Sequence, residues 1–347
     1  MILHRFENGD LLERRGQTVL ARLAGRRRCL STSPLNGGIR EDLDCAFNQD
    51  CKPLDGSPFV MAEATYEEHL RGSCAALGLS PERTTGMITT AQMDNLALAG
   101  ETYGDTTVTA AATGGIDVNG GRAGDPAEWH EGRGPGAPAG GTINIMLFIS
   151  ADLPADTLAR ALVTCTEAKA AALQELLAPS LYSTGIATGS GTDSVILLCD
   201  AESPVRLTYA GKHCKLGELI GRTTLKAVKE ALFRQTGLGM ARQLNLFARL
   251  GRFGVSREAL LAGLPAGSEK RLDALAADPQ LAVFASLYAH VLDQLQWGMI
   301  PEAEARTAAR RLLEDMKMPP VPFDAEISSQ ESLMAAFKES LLRKCST

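Results

Sequence analysis

The sequence has few of the residues that build a protein-held metal site. Its five histidines are scattered and form neither an H-E-x-x-H motif nor a cysteine–histidine spacing typical of zinc. Its eight cysteines include no C-x-x-C pair, so we expect them to be reduced and mostly to act as small core residues. We therefore expect no metal site of the protein's own.

Long apolar runs and a strong charge are also absent from the sequence. No apolar run approaches the ~20 residues of a transmembrane helix, so we expect no membrane partner. Residues 1–10 lack the apolar core of a signal peptide, which favours a cytoplasmic location. The net charge of −6 gives no reason to expect nucleic acid as a partner. The arginines of residues 1–28 alternate with apolar residues, which predicts a strand pair with a solvated face.

The stretch around Thr142 is the most informative part of the chain. Residues 120–141 hold eight glycines and three prolines, which predicts a loop, and a nearly continuous apolar run follows at 143–149. A run of this length after glycines predicts a strand buried on both faces. Thr142 stands at the mouth of that strand. It either simply starts a core strand or presents a reactive hydroxyl to a ligand.

The rest of the chain indicates strands mixed with helices, followed by helices alone. Strands are predicted at residues 18–23, 28–32, 86–91, 106–112 and 194–199, and helices at 65–76 and after Pro154. From about Gly221 only helical patterns remain, with an N-cap at Asp278 and a capping box at Ser328 and Glu331. Residues 189–193 lead into a strand, whereas a phosphate-binding loop opens a helix, so we reject a nucleotide site there.

These patterns predict the fold class and the domains. We predict an α/β (α+β) fold for residues 1–222, with mixed sheet layers covered by helices, an order that allows an αββα sandwich. Residues 223–347 are predicted to form a C-terminal all-helical subdomain. This tail is the part through which the chain would form a homo-oligomer.

Several short blocks occur in a fixed order between residues 30 and 220. They are LSTSPLNGG at 30–38, MITTA at 87–91, Asn119 with RAGD at 122–125, GTINI at 141–145, TEAK at 166–169, ATGSGTD at 187–193, and YAGKH at 209–213 with KLGELI at 215–220. Together they resemble the adenosylcobinamide amidohydrolase family. The chain departs from the family pattern in three ways. Asp117 interrupts the block that contains Asn119, and Ser190 and Cys214 stand where threonines are expected. The helical tail also exceeds the family core.

The resemblance implies an enzyme of corrinoid salvage. It would hydrolyse the amide that joins aminopropanol to a side chain of the corrin ring in adenosylcobinamide, giving adenosylcobyric acid. The cobalt would then belong to the substrate, and we expect no cofactor. A more distant similarity links Gly141-Thr142, the helix after Pro154 and residues 190–193 to the self-cleaving β-aminopeptidases, whose oxyanion-stabilising asparagine would match Asn119.

Amide hydrolysis needs a nucleophile, donors for the oxyanion and a proton for the departing amine. In the first hypothesis Thr142 is the nucleophile, Asn119 donates to the oxyanion, and Asp193 and Ser190 orient Thr142 or move its proton. Cleavage of the Gly141–Thr142 bond would add a free α-amine as the base. In the second hypothesis His213 is the general base for direct attack by water.

The remaining polar residues of the blocks are assigned to substrate binding: Asn144, Asp125, Glu167, Lys169, Thr192 and Lys215. We expect the glycine-rich loop of residues 120–140 to border the site. Two other function classes stay open. One is a protein that binds a corrinoid without hydrolysing it, and the other is a self-cleaving aminopeptidase that acts on small amides.

Overall fold

The computed structural model describes residues 1–55, 57, 59–61, 63–127, 130, 141–324 and 329–346. The chain forms two compact units: Met1–Tyr182 with Ile186–Leu238, and Ser183–Gly185 with Gly239–Thr347. The first unit contains the sheets, and in the second unit the described elements are helices.

The strands of the first unit form two larger sheets and a short ribbon. The strands are β1 (Ile2–Arg5), β2 (Leu11–Arg15), β3 (Thr18–Arg22), β4 (Arg27–Ser31), β5 (Gly38–Arg40), β6 (Cys45–Asp50), β7 (Thr84–Thr89), β8 (Ala97–Tyr103), β9 (Thr106–Gly114), β10 (Gly120–Gly121), β11 (Ile143–Ile149), β12 (Gly189–Ser190) and β13 (Ser194–Asp200). One sheet has the order β1-β2-β3-β6-β7 and the other has the order β5-β4-β13-β11-β9-β8, while β10 pairs with β12. Both larger sheets are mixed, because β6–β7 and β11–β13 are parallel and the other pairs are antiparallel.

Helices cover the outer faces of both larger sheets. Leu70 of α1 (Tyr66–Leu77) packs with Phe47 on the outside of the five-stranded sheet. The helices α2 (Ala155–Glu175) and α3 (Lys215–Thr236) share a core with the outer face of the six-stranded sheet. The inner faces of the two sheets meet in a third cluster, which includes Met87 and Met146. The layers are therefore α, β, β, α, and the predicted fold class is confirmed.

The strand β11 is buried on both faces, as the sequence predicts. Ile145 and Leu147 point into the core shared with α2 and α3, and Met146 and Phe148 point between the sheets. Because successive side chains of a strand face opposite ways, a fully apolar run suits a strand covered on both sides. Burying each such side chain stabilises the fold by about 1.5–3 kcal/mol. Thr142 directly precedes this fixed strand.

The helix boundaries of the first unit follow local capping signals. Thr65 caps α1 in a capping box with Glu68, and Gly78 ends it in a left-handed conformation with φ of 68°. The helix α3 continues through residues 222 and 223, where the sequence placed the domain boundary, and the first unit extends to Leu238. Apolar spacing alone does not distinguish the last helix of one unit from the first helix of the next.

One arginine of the basic N-terminal segment, Arg27, does not lie on the solvated face that the sequence predicted. Arg27 is 2% exposed, and its guanidinium donates to Asp10 and to Asp200, at 2.9 Å in each case. Both carboxylates come from other strands or turns, so charge complementarity holds the arginine inside the sandwich. The prediction is wrong for Arg27 because its partners are distant in sequence.

The second unit has an apolar core of its own, formed by helices. They are α4 (Met240–Gln243), α5 (Leu246–Leu250), α6 (Arg257–Leu261), α7 (Glu269–Ala276), α8 (Pro279–Gln296), α9 (Glu302–Asp315) and α10 (Ser329–Ser346). The predicted N-cap is confirmed, because Asp278 accepts from the amides of Gln280 and Leu281. The predicted capping box at Ser328 lies outside the described residues. Within the described ranges, every helix is too short or too polar to cross a membrane.

Candidate active site

Thr142 follows a glycine whose backbone is in the left-handed conformation, and polar groups surround its side chain. Gly141 has φ of +97°, and a Cβ there would lie 2.9 Å from the carbonyl oxygen of Gly115. Only glycine fits this position without strain. Thr142 is 3% exposed, and its hydroxyl donates to Thr192 O at 2.7 Å with Asn144 Oδ1 at 3.3 Å. These surroundings differ from the apolar packing that a simple core-strand start would have.

The carbonyl of the Gly141–Thr142 peptide accepts two hydrogen bonds from side chains. Asn119 donates through Nδ2, and Thr192 donates through Oγ1 at 2.9 Å. Donors placed in this way stabilise negative charge on a carbonyl oxygen when a nucleophile adds to its carbon. Since the Thr142 hydroxyl belongs to the next residue, a nucleophile, an amide carbonyl and its donors are neighbours.

Asp193, between β12 and β13, holds the backbone next to Thr142 in place. Its Oδ1 accepts from the Ile143 amide at 2.9 Å and from Ser190 Oγ at 2.7 Å, and its Oδ2 accepts from the Ser190 amide at 3.0 Å. Lys169 of α2 completes the arrangement with an ion pair to Oδ2, and both side chains are 9% exposed. The pair therefore positions the backbone directly after the hydroxyl.

Gly189 lets the Lys169–Asp193 pair lie against the backbone. A Cβ at this residue would be 2.2 Å from Asp193 Oδ2 and 2.6 Å from Lys169 Nζ. We expect Gly189→Ala to lower the free energy of unfolding by about 1–3 kcal/mol in urea titrations, because the buried pair must shift. In Gly191→Ala, the matched control, the Cβ meets nothing within 4 Å, and we expect a change within about 0.5 kcal/mol. Equal losses in both variants would contradict this account of the pair.

Asn144 is held by a buried polar chain that crosses from one sheet to the other. Its Nδ2 donates to Asn48 Oδ1 at 2.8 Å and to Ile88 O at 3.0 Å, and Asn48 Nδ2 donates to Thr113 Oγ1 at 2.9 Å. Because the Ile88 carbonyl can only accept, the amide is oriented with Oδ1 toward Thr142. Asn144 is 1% exposed, so this geometry supports positioning of the hydroxyl better than contact with substrate.

Asn48 is a residue of the cluster that the sequence did not predict. It lies in β6, where its side chain faces the neighbouring sheet and is 2% exposed. A polar residue in a strand is not unusual, and its partner Asn144 is 96 residues away. The available signal was an asparagine at an inward-facing position of β6, on the same face as Ala46 and Asp50.

The structure does not bring His213 to Thr142. His213 is exposed and precedes α3, whose first residue, Lys215, lies 4.6 Å over the ring of Tyr103. Tyr103 ends β8 at the side of the sheet where β11 finishes, whereas Thr142 stands where β11 begins. The rise of β11 separates these two ends by about 20 Å. The second hypothesis, with His213 as base, has no support from this geometry.

Glu167 and Lys215 also belong to other surface clusters. Glu167 pairs with Lys212 at 2.8 Å, and this hydrogen bond lowers the pKa of its carboxyl, which therefore stays ionised. Lys215 pairs with Glu218 at 2.5 Å. Among the hydrogen bonds of the described residues, none joins either side chain to the cluster around Thr142. Of the residues assigned to substrate binding, Lys169, Asn144 and Thr192 do join it.

Asp125 lies at the rim, on the segment that follows β10. Its carboxylate accepts from the Arg122 amide at 2.7 Å and from Ser180 Oγ at 2.5 Å. The β10–β12 pairing places Gly120 opposite Ser190, so the start of the glycine-rich loop does border the Thr142 cluster. Residues 128–129 and 131–140 of that loop lie outside the described residues.

No metal-binding group is found in the part of the chain that the structure describes. Sets of three or more His, Cys, Asp or Glu side chains that could hold a metal ion do not occur among those residues. What the Thr142 cluster offers is a hydroxyl, amide and hydroxyl donors, and a buried ion pair. These groups suit acyl transfer at an amide or ester carbonyl.

The chain is similar to a known protein family and to a known archaeal protein. A model of the adenosylcobinamide amidohydrolase family matches residues 3–240. An uncharacterized protein from Methanocaldococcus jannaschii is 34% identical over 190 residues, which cover 51% of this chain and 74% of that protein. The family match spans the first unit, whose last residue is Leu238.

Proposed function

The chain belongs to the adenosylcobinamide amidohydrolase family, and from this premise we propose that it hydrolyses the aminopropanol amide of adenosylcobinamide. The products are adenosylcobyric acid and aminopropanol, so the reaction recovers the corrin ring for cobalamin synthesis. The bond that breaks is a linear carbon–nitrogen amide bond, and the cobalt enters as part of the substrate.

The observation that supports this proposal is that the Gly141 carbonyl accepts hydrogen bonds from two side chains. Asn119 and Thr192 donate to it beside the Thr142 hydroxyl. An amide of the substrate in the same place would meet both the oxyanion donors and the nucleophile. One such donor typically contributes roughly 3–4 kcal/mol to transition-state stabilisation, or 10²–10³ in rate. We propose that the chain's own amide occupies the position that the substrate's amide takes later.

Thr142 needs a base, and the structure favours one that the chain makes itself. The acceptors near its hydroxyl are the Thr192 carbonyl and the Asn144 amide oxygen, and amide oxygens are not bases at neutral pH. Attack of Thr142 Oγ on Gly141 forms an ester, breaks the carbon–nitrogen bond and transfers the hydroxyl proton to the freed nitrogen. Water then hydrolyses the ester. The new α-amine, with a reference pKa near ~8, serves as the base for the substrate.

Intact-mass measurement of the purified protein tests this self-processing step. We expect two fragments, residues 1–141 and 142–347, because Asn119 and Thr192 already donate to the Gly141 carbonyl and the Thr142 hydroxyl belongs to the next residue. The Thr142→Ala variant is expected to remain one chain of 36.8 kDa. A fully active wild-type protein that also remains one chain would contradict the step.

Product analysis by mass spectrometry tests the reaction itself. The protein is incubated with adenosylcobinamide, and we expect adenosylcobyric acid and aminopropanol in equal amounts. Binding of the corrinoid with no release of aminopropanol would support a corrinoid-binding protein instead. Cleavage of small amides without cleavage of adenosylcobinamide would support a self-cleaving aminopeptidase.

A further inference from the structure

A second reactive cluster is formed by Cys51, His69 and Glu63. Cys51 directly follows β6, Glu63 precedes α1, and His69 lies within α1. Cys51 Sγ is 3.6 Å from His69 Nε2, and His69 Nδ1 is 2.7 Å from Glu63 Oε2. A nucleophile in reach of a base, with a third group orienting that base, is the arrangement of covalent catalysis.

Two local features hold the three side chains in place. The amide of Cys51 donates to Thr89 O at 2.9 Å, which fixes the thiol beside the end of β7. The capping box of Thr65 fixes the first turn of α1, and His69 follows in the next turn. The ring of Phe59 packs edge-on against His69, with ring centroids 5.5 Å apart.

The protonation states suit a base that removes the thiol proton. The hydrogen bond from His69 lowers the pKa of Glu63, so its carboxylate is ionised and accepts from Nδ1–H. Nε2 then carries the lone pair that faces the thiol. Burial, and next the charges of Asp50 and Glu63, raise the pKa of the Cys51 thiol to about 12. The resting group is therefore the thiol, which needs His69 during reaction as a serine does in a hydrolase triad.

Cys51 is also accessible, and the chain contains a matched control. All the cysteines except Cys51 and Cys214 are buried. Side-chain exposure is 17% for His69 and 37% for Glu63. The thiol of Cys214 donates to the Tyr209 carbonyl at 3.2 Å and accepts from the Gly217 amide at 3.4 Å, and neither partner is a base.

We propose that Cys51 is a second nucleophile of this protein, which accepts acyl groups from small esters and thioesters. The Sγ proton passes to His69 Nε2 while Sγ bonds to the carbonyl carbon, and the leaving group departs with that proton. Water then attacks the thioester, the carbon–sulfur bond breaks, one water proton returns to Sγ, and the acid is released. The net reaction is hydrolysis of the acyl compound, and it does not depend on Thr142 or on the function proposed above.

Acetylation of the full-length protein by p-nitrophenyl acetate tests the proposal. Peptide mass spectrometry should show Cys51 acetylated about 10²-fold faster than Cys214, the gain expected from a general base. His69→Ala should remove that gain. Glu63→Gln, at a partly exposed position, should reduce the Cys51 rate at least about 10-fold without unfolding the protein.

Four results would overturn the proposal. Equal acetylation of Cys51 and Cys214 in the wild type, or an unchanged Cys51 rate in folded His69→Ala, would leave His69 a hydrogen-bonded structural histidine. Acetylation of Thr142 in place of Cys51 would assign the ester reactivity to the first site. If circular dichroism shows that His69→Ala is unfolded, Glu63→Gln decides, and an unchanged Cys51 rate in it overturns the proposal.

Discussion

The Thr142→Ala variant is expected to lose hydrolysis of adenosylcobinamide, with kcat falling on the order of 10⁴-fold or more. The substitution removes the hydroxyl that we assign as the nucleophile, next to the Gly141 carbonyl and its donors. Affinity for the corrinoid should fall as well, because the uncut Gly141 amide of this variant still occupies the position of the substrate's amide. Release of aminopropanol gives kcat, and titration of the corrinoid spectrum gives the affinity.

Two control variants separate the nucleophile from general damage to the site. Thr142→Ser keeps the hydroxyl and should keep measurable turnover. His213→Ala removes the histidine that the sequence suggested as base, and we expect its turnover to stay within about twofold because exposed residues far from a site rarely matter. Wild-type turnover in Thr142→Ala would contradict the role of Thr142 as nucleophile. A large loss of turnover in His213→Ala would support direct attack by water with His213 as the base.

The Lys169→Met variant is expected to lose about 3–5 kcal/mol of unfolding free energy, the usual cost of leaving one buried charge without its partner. Lys169 and Asp193 are each 9% exposed, and the Asp193 carboxylate would remain inside with only backbone and serine donors. Urea unfolding followed by circular dichroism measures the loss. Turnover should fall as well, because Asp193 fixes the residue after Thr142.

An exposed ion pair between α2 and α3 provides the control for Lys169. Lys229 of α3 pairs with Glu175 of α2 at 2.8 Å, with side-chain exposures of 37% and 52%. Because solvent screens such a pair, Lys229→Met should cost no more than about 1 kcal/mol. If both variants lose the same stability, the buried pair has no special role in the site.

Much of the fold could be predicted because its signals are local. The apolar run of β11 predicts burial on both faces, and the contacts of Ile145 and Met146 on opposite sides confirm it. Capping residues such as Thr65 and Asp278 locate helix starts to within one residue. The predicted boundary at residue 222 falls inside α3, because the sequence becomes purely helical there, whereas the glycine that ends α3 is Gly237.

The candidate site could be predicted only in part. Thr142, Asn119 and Asp193 lie in short blocks whose order resembles the family, and the structure brings them together. The Asn48–Asn144 and Arg27–Asp200 contacts join strands 96 and 173 residues apart, for which a single sequence carries no local signal. His213 also lies in a block that resembles the family. However, α3 begins at the opposite end of the sheet from Thr142, so His213 lies on a different surface.

Peptide mapping of the enzyme, acid-quenched during turnover of adenosylcobinamide, tests the role of the Thr142 hydroxyl most directly. The account predicts a corrinoid acyl group esterified to Thr142 Oγ, on a peptide that begins at Thr142 and is sensitive to hydroxylamine. A corrinoid adduct on any other side chain, with Thr142 unmodified throughout turnover, would contradict it.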